Sequence, residues 1–114
     1  MQYMLLIYQP PGFDAKALPP EQHAQIAGDY QAVSRLPEVT PGLPLGLPAK
    51  AVTVRVIDGA VSPEAEPYMG RAGAVGGYLL VEADSREAAV AIAARIPAAR
   101  LGGAVEVRPC EAYW

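Results

Sequence analysis

Residues 77–97 read GYLLVEADSREAAVAIAARIP. The opening part, 77–83, is an aliphatic and aromatic run after a glycine, which is strand chemistry. Asp84 can cap a helix, and Glu87 three residues on completes a capping box. Ala89, Ile92, Ala93 and Ile96 then recur at helical spacing and Pro97 ends the pattern. Residues 104–109 alternate again, with Val105 and Val107 on one side and Glu106 and Arg108 on the other. The C-terminal half therefore reads strand, helix, strand.

Working outward, residues 3–8 are apolar on both faces, as a central strand covered on both sides requires. Gln9-Pro10-Pro11-Gly12 ends that strand. A helix is expected over about 20–35, with proline tolerated at its first position. His23, Ile26, Ala27, Tyr30 and Val33 share its apolar face, Gln22, Gln25 and Asp29 lie off it, and Pro37 and Pro41 stop it. Residues 42–48 look irregular, with room for a short extended piece. Residues 50–57 alternate, with Val52, Val54 and Val56 on one side and Thr53, Arg55 and Ile57 on the other, and Asp58-Gly59 marks a turn. The stretch 60–75 shows no consistent period and is long for a loop, a length associated with function or mobility. A second helix is expected over 85–96.

The order β-α-β-β-α-β predicts a single α+β domain of ferredoxin-like type, with two helices on one face of an antiparallel sheet. The helices are expected to cover the valine sides of 50–57 and 104–109. The other sheet face then carries Thr53, Arg55, Glu106 and Arg108. Either it is solvated in a monomer, or a second copy closes it into a barrel with a partly polar interior.

Composition narrows the function classes. The 114 residues are 52% hydrophobic, enough for one packed interior. Twelve Asp+Glu against nine Lys+Arg leave a net charge of -3, so the basic footprint of nucleic-acid binding is missing. The apolar runs are too short to span a bilayer and the first residues read as a strand instead of a signal peptide, so a cytoplasmic protein is expected. Cys110 is the single cysteine, which rules out an internal disulfide and suits a buried or inert thiol. One histidine and one cysteine are too few good ligands for a metal centre, and no cofactor is expected. Residues 70–77 are glycine-rich but lead into a strand, so they lack the context of a phosphate loop.

Several segments resemble the YCII-related family of the DGPF type: Met1-Gln2-Tyr3-Met4-Leu5-Leu6-Ile7-Tyr8, Thr53-Val54-Arg55-Val56-Ile57-Asp58-Gly59, Gly76-Gly77-Tyr78-Leu79-Leu80, 94–100 and 103–109. The resemblance implies a homodimer of the dimeric α+β barrel kind. It also implies a departure: where members carry Asp-Gly-Pro-Phe, this chain has Ala65-Glu66-Pro67-Tyr68, so the aspartate is missing in register. Relatives in the wider group carry a helix-one histidine with an acid nearby. By that likeness His23 is the candidate acid/base residue, with Glu64 or Glu66 as its partner. The place of His23 at the start of the apolar face puts it near the sheet edge, away from open water, where the alternative is a partly buried histidine bonded to a loop carbonyl.

Arg55 and Arg108 are candidate anion clamps or plain members of cross-strand charge pairs with Glu106. Tyr68 and Tyr78 either line the same chamber or simply pack. Arg71, Arg95 and Arg100 read as surface charges. The expected pocket lies between the helix-one start, the 60–75 loop and the non-helix sheet face. The expected function is binding of a small organic ligand by a homodimer. The alternatives are a His-dependent lyase, isomerase or dehydrochlorinase acting on a small organic acid, or, as the resemblance implies, an accessory module in sigma-factor signalling.

Overall fold

In a computed structural model, residues 1–113 are described. Six strands and two α-helices alternate as β1 (Gln2–Tyr8), α1 (Pro20–Ser34), β2 (Val39–Pro44), β3 (Thr53–Ile57), β4 (Ala60–Glu64), β5 (Gly77–Glu82), α2 (Arg86–Ala93) and β6 (Ala104–Pro109). The main sheet is antiparallel and runs β2-β5-β1-β6, while β3 and β4 form a separate two-stranded hairpin. With the hairpin set aside, β1-α1-β2-β5-α2-β6 is the ferredoxin-like arrangement, so the α+β expectation holds.

The strand after helix one differs from the expected one. It is β2, Val39–Pro44, and not 50–57. Residues 53–57 are extended, but they pair with 60–64 across an Asp58-Gly59 turn in which both residues have positive φ, 50° and 80°. That is the backbone a tight hairpin needs. Val52, Val54 and Val56 are therefore not covered by the helices and stay about 60% exposed or more. Thr53 and Arg55 likewise leave the main sheet face on which they were expected.

The core forms where β1 and β5 turn alternate residues toward the helices. Tyr3, Leu5 and Ile7 face Leu79 and Val81, and Ala89, Ala93, Ile96 and Val33 close the layer from the helix side. Val105 and Val107 pack against the same cluster from β6. Alanines at the α2 contact let this short helix lie close to the sheet. Its N-cap is Ser85, whose side chain accepts from the Ala88 N–H at 3.1 Å; the expected cap was Asp84.

The turn into β6 depends on Gly103. A methyl group there would overlap the Tyr8 carbonyl oxygen and stand 3.0 Å from that of Ala98. Gly103→Ala is expected to destabilise the protein by about 1–3 kcal/mol through backbone displacement. Urea unfolding checks this, and an unchanged midpoint would contradict the close approach.

Among the described residues, no helix or second sheet covers the opposite sheet face. Met4 and Leu6 of β1 and Tyr78 and Leu80 of β5 are half-buried there, side by side in register, with Glu106 and Arg108 of β6 at one edge. Tyr78 lies against Gly42, where any Cβ would collide with its ring and carbonyl. The molecule is a slab of 46 × 40 × 19 Å with a radius of gyration of 15.9 Å. A compact chain of this length would have about 13 Å. Among the described residues, no helix is long and apolar enough to cross a membrane.

Candidate functional site

Three loops meet at one end of the sheet because proline and glycine forbid the strands to continue. After β1, the Phe13 N–H turns back to the Pro10 carbonyl at 3.0 Å, with Gly12 at positive φ. After β2, Pro44 and Pro48 lack the N–H groups a ladder needs, and pairing ends with Leu45 N–H donating to the Gly76 carbonyl. Before β5, Gly70 at φ 76° opens a single turn at Arg71–Gly73.

Two adjoining cavities lie among these loops. One, of about 470 Å³, sits between residues 45–51 and 67–75. The other, of about 660 Å³, sits between residues 44–49, 9–15 and 71–76. Leu45, Gly46, Leu47, Pro48 and Ala74 wall both. Each volume is within the roughly 300–1,000 Å³ of small-molecule sites. The lining is largely apolar, and among the described residues its charged members are Lys50 in the smaller lobe and Arg71 in the larger. Gln9 faces the larger lobe and is held by donating to the Tyr30 hydroxyl at 3.1 Å.

The expected site residues fall in three places. Tyr68 lines the smaller lobe, and the Arg55 guanidinium stands 5.3 Å from its ring centroid, a cation–π contact that ties the hairpin to the chamber rim. The Thr53 hydroxyl donates to the Glu66 carbonyl and fastens the same junction. Tyr78 and Arg108 are on the open sheet face and line neither lobe.

His23 is exposed near the start of α1, outside both lobes, because only the C-terminal half of that helix packs down. It was expected at the sheet edge, away from open water. Among the described residues no carboxylate pairs with it, and neither Glu64 nor Glu66 makes an ion pair. Nor do three His, Cys, Asp or Glu side chains converge. Cys110 is exposed instead of buried.

With this geometry in view, the model of the YCII-related domain matches residues 1–112. The chain belongs to the YCII-related family. No curated protein matches it. In this YCII-related chain Pro67 and Tyr68 line the smaller lobe.

The YCII-related sheet face carries a second polar group. The Tyr8 hydroxyl donates to Glu106 Oε2 at 3.2 Å, and Arg108 Nε lies 4.0 Å from Glu106 Oε1. Partial burial pushes the Tyr8 pKa up. The hydrogen bond to Glu106 and its negative charge add to the rise, and Arg108 opposes it. Glu106→Gln is expected to lower the Tyr8 pKa yet leave it above the ordinary value near 10, since burial remains. A tyrosine ring-carbon NMR titration measures this, and an unmoved pKa would contradict the pairing. Because the folded pKa is raised, its stabilising contribution is complete below about pH 10 and is lost as pH rises through the folded value.

Sequence reasoning missed Lys50, Leu45 and Leu47; Arg71 is exposed, as a surface charge should be, and it also lines the larger lobe. The available signal was the run Leu43-Pro44-Leu45-Gly46-Leu47-Pro48. Past Pro44, the last residue of β2, Gly46 and Pro48 give no ladder to continue, so Leu45 and Leu47 are presented by a loop.

Proposed function

We propose that this YCII-related protein is a homodimeric binder of a small organic molecule, with the loop-end chamber as its site. The observation that carries the reading is the pair of adjoining apolar lobes, each of ligand size, built by three loops at one sheet end. Apolar concavities with few polar groups are where small molecules bind.

The homodimer is supported by the uncovered sheet face. Met4, Leu6, Tyr78 and Leu80 form an apolar centre with charges at the edge, and one chain supplies helices for only the other side. The exposed valines of the hairpin and the expanded radius of gyration point the same way. A cytoplasmic setting belongs to this reading, since the single cysteine offers no internal disulfide. The acid/base alternative through His23 has less beneath it, because that residue has no carboxylate partner among the described residues and lines neither lobe.

The test is amide chemical-shift mapping of the intact protein against a library of small aromatic and aliphatic compounds. Binders are expected to shift residues 44–50 and 67–76 together. Binders that shift α1 around His23 and leave the chamber unmoved would overturn the proposal in favour of the helix site.

A further inference from the structure

The charges on the chamber wall are all of one sign. Lys50 faces the smaller lobe and Arg71 the larger, and among the described residues no Asp or Glu lines either, although the chain carries twelve of them and a net charge of -3. Neither cation makes an ion pair among the described residues. Both come from segments with a set backbone. Lys50 closes the short turn Pro48–Lys50, its N–H donating to the Leu47 carbonyl at 2.9 Å, and Arg71 opens the turn after Gly70. Between them the shared wall of Leu45, Leu47 and Pro48 is apolar.

We infer that the ligand is an apolar carboxylate, aromatic or long-chain aliphatic. Its hydrocarbon body lies on Leu45, Leu47 and Pro48 and its carboxylate meets Arg71 in the larger lobe. The inference rests on the chamber being the ligand site. Three physical points carry it. A ligand cation would face two like charges and no counter-charge. A neutral apolar ligand would fill the wall but give the exposed guanidinium beside it no acceptor to bind. A carboxylate matches the guanidinium fork in two parallel hydrogen bonds while the apolar body buries against leucine and proline. Lys50, a point charge in the neighbouring lobe, strengthens the positive field without fixing geometry.

The experiment is calorimetric titration of the intact protein with 2-naphthoate and with 2-naphthamide, which share a body and differ in charge. The carboxylate is expected to bind at least about tenfold tighter, in keeping with one charge-assisted contact. Arg71→Gln is expected to bring the two affinities close together by weakening the carboxylate alone, and Lys50→Gln to reduce the gap less. Leu47→Asp, which places an acid on the wall of both lobes at an exposed position, is expected to abolish naphthoate binding. Far-UV circular dichroism establishes that each variant is folded. Equal affinity for the two compounds, with Leu47→Asp still abolishing both, would overturn the carboxylate assignment and leave the chamber as the site. Absence of binding, or binding that Leu47→Asp leaves intact, would overturn the chamber as well.

Discussion

Leu5→Ala is expected to lower the unfolding free energy by about 2–5 kcal/mol, which for a small domain is a large part of the total. Leu5 is wholly buried at the middle of β1, with Leu79 of β5 opposite on one side and Val107 of β6 on the other. No surface side chain can swing in to refill the space, because both neighbours are fixed by the sheet register. Truncation therefore removes transfer free energy and leaves a cavity. Val90→Ala on α2 is the control: Val90 is about half exposed and alanine favours a helix, so a change within about 0.5 kcal/mol is expected. Urea denaturation followed by circular dichroism measures both. Equal, small effects at the two positions would mean that β1 is not the centre of the core.

The second large effect is on association. Leu6 neighbours Leu5 in sequence but points to the opposite sheet face, where it pairs with Tyr78 and Glu106. Leu6→Asp places a carboxylate at the centre of the proposed dimer interface, directly opposite the Glu106 carboxylate. Its desolvation is expected to weaken the dimer on the order of 100-fold or more. The fold should persist, since the substituted side chain does not face the core. Light scattering after size exclusion, combined with circular dichroism, reads the two quantities separately. A folded variant as dimeric as the parent protein would remove this face from the interface.

Most of the fold is legible in the sequence because its elements carry strong, regular patterns. The two-sided apolar run of β1, the alternation of β6 and the alanine-isoleucine stripe of α2 each have one natural reading, and the structure agrees. The second sheet strand is harder. Val39–Pro44 holds Pro41, Gly42 and Pro44, residues that argue against a strand, and it escapes the penalty by lying at the edge of the sheet, where missing donors cost nothing. Residues 53–57 carry the cleaner strand pattern, yet alternation reports extended backbone and not the identity of the partner. The pairing is local, across the Asp58-Gly59 turn.

The site is less legible for a related reason. Helical spacing places His23 on the face of Ile26 and Tyr30, but periodicity cannot show that the first turns of α1 have nothing beneath them. The chamber is made by loops with no period at all, from chain segments that meet only after folding. Arg71 and Lys50, about twenty residues apart in sequence, line adjoining lobes, and nothing local in either stretch signals it. Tyr68 and Arg55 do meet, though through the hairpin, and Arg55 is not on the sheet face where it was expected.

Sedimentation equilibrium of the intact protein at micromolar concentration tests the central claim most directly, because the proposed homodimer uses the open sheet face as its interface. The account predicts a mass about twice the 12.0 kDa of one chain. A mass of one chain across the whole concentration range would contradict it.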